Sequence, residues 1–293
     1  MSDYWCKNPS MSARTTLILV ATGLVSCTTA AATRSTLQDQ VRRANQSTVA
    51  VILSVEMPTP SGEQRTSIVA GSGVVVASRT VATCAHVLEE PSGLPPGARL
   101  GWAVVEDGRW SDGHQLMRYA KIEWIDRDRD IALLTIPDLA APAALVATSD
   151  VQIGDDVFFI GHPGVQPNKN RAPPPAVGSG IVAAVDRAPL RDGGPEVRLL
   201  RLDGSVNLGN SGGGLFSRET GALIGIVTAK AGRLSNELRV VRDTKPTAAI
   251  SIGGLDPVAA LRQTLFEMEA NLQLGIGFAI PLDEVMAQPG LRR

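Results

Sequence analysis

The stretch Leu208–Phe216, with the sequence LGNSGGGLF, constrains this chain more than any other segment. Ser211 is preceded by Gly209-Asn210 and followed by a run of glycines. Glycine permits tight turns and lets backbone amides come close to a reacting group, so this setting suits a nucleophilic hydroxyl. The alternative at this point is a glycine-rich turn that contains a serine by chance.

A catalytic serine needs a base and a group that orients the base. The chain has 3 histidines, His86, His114 and His162, and all of them precede Ser211. The pattern Gly-x-Ser-x-Gly around Ser211 also fits the nucleophile elbow of the α/β-hydrolases, in which the histidine follows the serine. The order of residues therefore excludes that fold.

His86 and Asp130 are the candidate partners of Ser211. His86 lies in the segment VATCAHVL after an apolar run, and Asp130 directly precedes the apolar segment IALL. Asp126 and Asp128 compete with Asp130, but only Asp130 directly precedes the segment IALL, which is predicted to be a buried strand. His162 lies in a predicted turn and His114 in a polar loop, so we expect neither of these two histidines to act in catalysis.

These motifs carry a family resemblance. The segments TCAH (83–86), DIALL (130–134) and GNSGG (209–213) occur in the order His, Asp, Ser. They resemble the chymotrypsin-like (trypsin-like) serine proteases, and most of all the protease domain of the bacterial HtrA (Deg) proteases. Residues 221–229 and 275–281 resemble the strand beside the substrate and the last strand of that domain. The resemblance covers residues 46–287, and we expect no PDZ domain because the chain ends at Arg293.

The composition agrees with an all-β protein. Hydrophobic residues make up 44% of the chain, and Val/Ile/Leu segments are punctuated by 29 glycines and 19 prolines. We predict two six-stranded antiparallel β-barrels, the chymotrypsin-like double barrel, in a protease domain over residues 46–289. The first barrel spans about 46–140 and the second about 141–289. Predicted strands in the first barrel are 49–55, 67–77, 80–83, 100–105, 119–125 and 131–136. Those in the second barrel are 156–160, 180–185, 197–202, 214–216, 222–228 and 277–280.

A long insertion over residues 230–274 interrupts the second barrel. It includes the segment 256–268, whose Asp-Pro start and apolar spacing predict a helix. We expect this inserted helix near the C-terminus either to pack as a surface decoration or to act as a lid or partner-binding element beside the cleft.

The resemblance implies roles for individual residues. Ser211 would be the nucleophile, His86 the general base and Asp130 the orienting carboxylate, with an oxyanion hole formed by the backbone N–H groups of Gly209 and Ser211. Substrate-binding positions would be Ser205, Val206 and Asn207 at the specificity pocket. Val227, Thr228 and Ala229 would offer free edge backbone to an extended substrate.

The residue at the base of the specificity pocket would be Ser205. Because no carboxylate stands there, we expect a small or medium apolar P1 residue rather than Arg or Lys. Asp203 is the nearest acid, and it would reverse this expectation if it turned into the pocket.

The N-terminus resembles a targeting segment. Residues 1–27 contain Arg14, an apolar run too short to span a bilayer, and the segment LVSC, which resembles a lipobox with Cys27 as the lipidated residue. An ordinary secretory signal cut elsewhere and an uncleaved anchor are the alternatives, and either Met1 or Met11 could be the start. Residues 28–45 are predicted to be a flexible tether, which could end in a short helix and would hold the domain off a membrane surface.

Cleavage before Cys27 would leave Cys84 without an intramolecular partner, so we expect no disulfide. We expect Cys84 to be a small buried residue behind His86, with a redox-sensitive or metal-binding thiol as the alternative.

Charge and motifs together define the expected function. The net charge of −1 disfavours nucleic acid as a partner, and no motif calls for a cofactor or a metal. The sequence predicts an exported, membrane-tethered serine endopeptidase that acts on protein or peptide substrates in quality control or processing. The alternative is a lipoprotein with a protease fold that lacks competent catalysis and serves as a binding or scaffold protein.

Overall fold

The computed structural model describes residues 36–291 except for gaps at 60–61, 92–93, 95, 107–116, 148–149, 164–173, 192, 231–235, 245–255, 272–274 and 289–290. The predicted signal segment, Cys27 and His114 therefore lie outside the described residues. No helix in the described part of the chain is long and apolar enough to cross a membrane.

The first six strands in the described residues close into an antiparallel barrel in the order β1-β2-β3-β6-β5-β4. They are β1 (Thr48–Thr59), β2 (Gly62–Ala77), β3 (Thr80–Thr83), β4 (Arg99–Glu106), β5 (Met117–Asp126) and β6 (Ile131–Thr135). Alternate residues of β1, such as Val49, Val51 and Leu53, enter the main hydrophobic core, whereas Ala50 and Ile52 pack on the other face. This period of two is the pattern that predicts a strand.

The next six strands in the described residues close into a second antiparallel barrel in the order β10-β11-β12-β9-β8-β7. They are β7 (Asp156–Gly161), β8 (Ala176–Pro189), β9 (Glu196–Asp203), β10 (Gly214–Ser217), β11 (Leu223–Lys230) and β12 (Ile276–Pro281). The two closed barrels confirm the predicted all-β fold class. The observed strands overlap every predicted segment, and β8 and the β1–β2 pair are longer than predicted.

The structure differs from the prediction for the tether. Its last part is not flexible chain but helix α1 (Leu37–Gln46), which is capped by Thr36: the Asp39 N–H donates to Thr36 Oγ1 over 3.2 Å. Gln40 is buried, and its Nε2 donates to the Glu219 carbonyl at 3.1 Å. A short helix at the end of the tether was left open by the sequence, and a polar side chain, rather than an apolar stripe, makes its contact with the second barrel.

The insertion between β11 and β12 contains two helices in its described part, α2 (Asn236–Asp243) and α3 (Pro257–Asn271). Helix α3 confirms the predicted helix, and Asp256 caps it by accepting from the N–H groups of Val258 (2.9 Å) and Ala259 (3.1 Å). Helix α2 was not predicted. A last short helix, α4 (Leu282–Met286), follows β12.

The seam between the barrels is closed by packing and by hydrogen bonds. One hydrophobic cluster contains residues of both barrels, among them Val87 and Leu133 of the first and Ile160 and Ile226 of the second. Ser72 of β2 lies at this seam, as do the end of β3 and the start of β6, which adjoin His86 and Asp130.

Candidate active site

The pairing of β3 with β6 brings His86 and Asp130 together. Thr83, the last residue of β3, lies opposite Ala132 near the start of β6. His86 follows in a short 3-10 helix (Ala85–Leu88), and Asp130 immediately precedes β6. Two residues 44 positions apart in the chain are thus neighbours because their strands are neighbours.

Asp130 has a left-handed backbone conformation with φ 55°. Few side chains adopt this region, and aspartate is one of those that tolerate it. The turn before it is held by Asp126, whose Oδ1 accepts from the N–H groups of Asp128 (2.9 Å) and Arg129 (3.0 Å). Asp126 therefore builds the turn and leaves Asp130 as the carboxylate that faces His86.

Asp130 holds His86 through both its ring and its backbone. His86 Nδ1 lies 2.8 Å from Asp130 Oδ2 and 3.0 Å from Oδ1, and the His86 N–H donates to Oδ1 at 2.9 Å. The Asp130 side chain is 11% exposed, whereas that of His86 is 43% exposed. The pair therefore has a buried acid and an imidazole that remains open to solvent on its other side.

The pair shifts the pKa of each member. Burial lowers the pKa of His86, but the hydrogen bond and the negative charge of Asp130 outweigh burial and leave that pKa above its ordinary value. Burial raises the pKa of Asp130, but hydrogen bonds from His86 and Thr228 outweigh burial and leave that pKa below its ordinary value. The acid is thus kept ionised beside a base of increased proton affinity.

Ser211 lies on a loop whose shape depends on glycine. The Asn210 N–H donates to the Asn207 carbonyl at 3.1 Å and closes a four-residue turn. Gly209, the third residue of this turn, has φ 93°, while Leu208 has an ordinary negative φ. This is the type II arrangement, in which the Leu208–Gly209 peptide is turned over relative to type I and the third residue is almost always glycine. Neither the N–H of Gly209 nor that of Ser211 donates to any described residue.

The Ser211 hydroxyl is linked to the His–Asp pair through Thr228. Ser211 Oγ donates to the Thr228 carbonyl at 3.0 Å, and the Thr228 hydroxyl donates to Asp130 Oδ2. Within the described residues, no hydrogen bond joins Ser211 Oγ to His86. The structure thus brings Ser211, His86 and Asp130 to one site with the serine hydroxyl engaged by a carbonyl.

The predicted substrate-binding residues lie on the two segments next to Ser211. Ser205 and Asn207 are exposed in the loop after β9, whereas Val206 is 1% exposed and packs in the core of the second barrel. Asp203, the acid that would alter specificity, is exposed at the end of β9.

Val227, Thr228 and Ala229 lie on β11, which pairs with β10 only up to Ile226. The backbone of Val227 is not free as predicted, because its N–H donates to Gly213 at 2.8 Å and its carbonyl accepts from Gly212 at 2.7 Å. Strand β11 therefore has a stretch of edge without a strand neighbour in the described residues, and this stretch begins after Val227.

Cys84 is fully buried below His86, as predicted, and its Sγ lies 3.2 Å from the Val227 carbonyl. Cys84, His86 and Asp130 form the group of potential metal ligands found among the described residues, with ligand atoms within 4.8 Å of one another. Burial and the charge of Asp130 raise the pKa of the Cys84 thiol well above its ordinary value, which disfavours the thiolate that a metal requires. A metal would also displace the hydrogen bonds that Asp130 accepts. The three residues therefore fit a hydrogen-bonded His86–Asp130 pair next to a neutral Cys84 thiol better than they fit a metal centre.

Sequence reasoning missed two side chains at the seam. The Thr228 hydroxyl binds Asp130, although Thr228 was singled out only for its backbone. Ser72 of β2 contacts the Ser211 loop, and the flanking Gly71 and Gly73 are the signal that could have found it, because glycine inside a strand often marks a close backbone approach.

Comparisons with known proteins agree with this arrangement. The model of the trypsin-like peptidase domain family matches residues 71–226, more than half of the chain, and the chain belongs to this family. It is homologous to the HtrA/Deg proteases.

Among curated proteins, it is 34% identical over 164 residues to the periplasmic pH-dependent serine endoprotease DegQ of Escherichia coli, covering 54% of this chain and 31% of DegQ. It is 34% identical over 173 residues to the periplasmic serine endoprotease DegP of Salmonella typhimurium, covering 57% of this chain and 31% of DegP. The chain thus spans about a third of the length of these relatives.

A solved structure, the HtrA-type protease AlgW with a decapeptide, has the same fold. Its TM-score is 0.56 at 23% identity, and the match covers 86% of this chain and 66% of that one.

Proposed function

We propose that this protein is a serine endopeptidase that hydrolyses peptide bonds in proteins through Ser211, His86 and Asp130. The observation that carries the proposal is the hydrogen-bonded His86–Asp130 pair on the first barrel, which Thr228 links to a serine hydroxyl on the second barrel. Membership of the trypsin-like peptidase family supports the same activity.

In the proposed reaction, Ser211 Oγ attacks the carbonyl carbon of the scissile peptide while His86 Nε2 accepts the hydroxyl proton. The tetrahedral intermediate collapses when the C–N bond breaks, and His86 returns the proton to the leaving amine. Water then attacks the acyl carbon while His86 accepts a proton from it. The bond to Ser211 Oγ breaks, His86 returns the proton to the serine, and the acid product is released. Asp130 fixes the imidazole tautomer and stabilises its protonated form.

The N–H groups of Gly209 and Ser211 are proposed to form the oxyanion hole. Both are without an acceptor among the described residues, and the type II turn fixes the orientation of the first. Such donors act on the charge that develops in the transition state, and loss of one costs roughly a hundredfold to a thousandfold in kcat.

For specificity, we propose that Ser205, Val206 and Asn207 form the loop at the P1 pocket and that extended substrate pairs with β11 at Thr228 and Ala229. The decapeptide bound to AlgW is consistent with such a peptide ligand. Because residue 205 is a serine, a small or medium apolar P1 residue is expected. Cleavage of a peptide library after Arg or Lys would contradict this expectation and point to Asp203.

A second candidate is a protease fold without competent catalysis, acting as a binding or scaffold protein. It is favoured by the contact of Ser211 Oγ with the Thr228 carbonyl instead of His86. Catalytic hydrogen bonds often tighten only when substrate is bound, so an active enzyme without substrate can show the same contact.

Labelling with a fluorophosphonate separates the two candidates. The reagent phosphonylates an activated serine with loss of fluoride, so the wild type and the Ser78→Ala control should be labelled and Ser211→Ala should not. Ser211→Ala should also lower peptide hydrolysis roughly a millionfold. Absence of labelling in the wild type would favour the binding protein.

We further propose that the protein is exported and tethered to a membrane by a lipid on Cys27. The periplasmic relatives DegQ and DegP support export, and the lipobox-like segment supports lipidation. Cys27→Ser should abolish incorporation of labelled palmitate and release the protein from membranes. Persistent lipid labelling of this variant would overturn the assignment. A role in quality control or processing is tested by comparing the cleaved proteins of cells that carry wild type or Ser211→Ala.

A further inference from the structure

Ser72 of the first barrel makes two direct hydrogen bonds to the Ser211 loop. It is fully buried on β2. Its Oγ donates to the Gly209 carbonyl at 2.6 Å, and its backbone N–H donates to the Ser211 carbonyl at 2.8 Å. One residue therefore holds the carbonyls of both residues whose N–H groups would form the oxyanion hole.

Local strand geometry explains why Ser72 can reach across the seam. The register of β1 and β2 shifts so that Val51 faces Gly71 and Ile52 faces Val69, which leaves Ala70 as a bulge. Bulges re-aim the residues that follow them and are common beside active sites. Strand β3 pairs with β2 only from Val74 onward, so the outer edge of β2 at Ser72 is open to the second barrel.

The Ser72 hydroxyl is itself fixed in direction. The His162 N–H, at the end of β7, donates to Ser72 Oγ at 2.7 Å, so the hydroxyl proton is left to point at Gly209. The Ser72 carbonyl accepts from Thr83 Oγ1 at 2.7 Å. The Ser72 hydroxyl thus donates to and accepts from groups of the second barrel, while its backbone carbonyl is held by Thr83 of the first.

We propose that Ser72 is a positioning residue that keeps the Gly209 and Ser211 amides aimed at the oxyanion, and this proposal rests on the function proposed above. Rotation of the Gly209–Asn210 peptide would carry the Gly209 carbonyl away from Ser72 and would disturb the type II turn. Ser72 opposes this rotation by holding that carbonyl. Its effect should fall on the transition state and leave ground-state binding of peptide largely unchanged.

The test compares Ser72→Ala with Ser54→Ala. Ser54 is also a buried serine of the first barrel, on β1, and its hydroxyl has no hydrogen-bond partner among the described residues. Two affinities are measured for each variant. The first is for a peptidyl boronic acid, whose tetrahedral adduct needs the oxyanion hole. The second is for the matching peptide in the Ser211→Ala background.

Ser72→Ala should weaken boronate binding about tenfold and slow fluorophosphonate labelling by a similar factor, while peptide affinity changes less than twofold. Ser54→Ala should change none of these values by more than twofold. A merely structural role would lower both affinities of Ser72→Ala together or leave both intact, and either result overturns the proposal.

Folding of each variant is checked by its thermal transition. If Ser72→Ala does not fold, Ser72→Cys is measured in the same way, because a thiol fills similar space and forms weaker hydrogen bonds. About a threefold selective loss of boronate affinity is then expected, and an unchanged ratio of the two affinities overturns the proposal. If the wild type itself is not labelled by fluorophosphonate, the proposed endopeptidase function fails first, and the two failures are thereby distinguished.

Discussion

The two barrels hold their parts of the candidate site by different means. The first barrel contributes His86 and Asp130, which fix each other through side-chain hydrogen bonds at the ends of two paired strands. The second barrel contributes Ser211 on a loop that is held almost entirely by backbone hydrogen bonds. Side-chain chemistry defines the first part and backbone geometry defines the second.

This difference decides which substitutions each part can tolerate. An added Cβ at Gly212 would lie 2.0 Å from the Ser72 carbonyl oxygen, and one at Gly213 would lie 2.2 Å from the Ile160 carbonyl oxygen. Backbone atoms cannot move aside as a side chain can. The second barrel should therefore be sensitive to a single added methyl group, and the first to the loss of a single charge.

The largest effect is expected from Asp130→Asn. The amide cannot hold the imidazole in the tautomer that accepts the serine proton, so kcat should fall roughly 10⁴-fold with little change in fold. Steady-state hydrolysis of a fluorogenic peptide measures this loss. Asp128→Asn removes an exposed carboxylate of the same turn and should change kcat less than twofold. A loss below tenfold in Asp130→Asn would show that side-chain chemistry in the first barrel is not what the site depends on.

The second prediction concerns the loop of the second barrel. Gly212 has φ 86° and no room for a Cβ, so Gly212→Ala should displace the Ser211 amide and lower kcat roughly a hundredfold to a thousandfold. Gly154→Ala is the matched control, because Gly154 also has a positive φ (95°) but nothing within 4 Å of its Cβ position. The control should lose about 1 kcal/mol of stability and no activity. Equal activity of Gly212→Ala and Gly154→Ala would show that the second barrel does not depend on the backbone geometry of the Ser211 loop.

The same contrast explains what the sequence could predict. His86, Asp130 and Ser211 each adjoin an apolar strand and belong to residue types with distinctive chemistry, so pattern and spacing identify them. Ser72 and the Thr228 hydroxyl escape such reasoning, because their partners are carbonyl oxygens or a distant carboxylate that become neighbours only when both barrels close. The glycines on either side of Ser72 indicate a close backbone approach there, but no local pattern specifies the partner of either hydroxyl.

For the fold, apolar periodicity predicted the strands that line the cores, and it failed where side chains are polar. The β1–β2 pair continues to Thr59 and Gly62 as an exposed ribbon with residues such as Glu63, Gln64 and Arg65, which give no hydrophobic signal. Helix α2, which was not predicted, is short and rich in charge, and α1, which the sequence left open, docks through Gln40 rather than through an apolar face. These polar segments form regular structure because backbone pairing and buried polar contacts stabilise them in place of an apolar stripe.

The pH dependence of kcat/KM should arise from ionisable groups of the first barrel alone. Since His86 acts as a base only when neutral, kcat/KM should rise with pH through the pKa of His86, and the midpoint should lie above the ordinary histidine value because Asp130 raises that pKa. Asp130→Asn should move the midpoint to lower pH, whereas Gly212→Ala should leave it unchanged. A pH–rate profile of each variant measures this, and a shifted midpoint in Gly212→Ala would contradict the division of roles.

The free energy of unfolding should also depend on pH through His86 and Asp130, and the two residues should act in opposite directions. The raised pKa of His86 stabilises the fold below the unfolded pKa of histidine, and this contribution is lost as pH rises through the folded pKa. The lowered pKa of Asp130 stabilises the fold above the unfolded pKa of aspartate, and this contribution is lost as pH falls through the folded pKa. Urea unfolding of Ser211→Ala across pH, which avoids autolysis, should show both trends. Both should be weaker in the His86→Ala/Asp130→Ala background, where the loss of stability at low pH persists in part because the pKa of Asp126 is also lowered.

The smallest effect is expected from Thr228→Val, which tests a side chain of the second barrel that reaches the carboxylate of Asp130 on the first. Thr228 is 2% exposed, and valine keeps its shape and its carbonyl while removing the hydroxyl that donates to Asp130. A hydrogen bond to a charged group is worth about 1.5–3 kcal/mol, but Asp130 keeps its contacts with His86, so kcat should fall only roughly tenfold. Thr135→Val is the control, because Thr135 Oγ1 contacts Glu123 at 3.5 Å on the surface. A loss as large as that of Asp130→Asn would mean that Asp130 is oriented from both barrels equally, and the site would then depend on side chains on both sides of the seam.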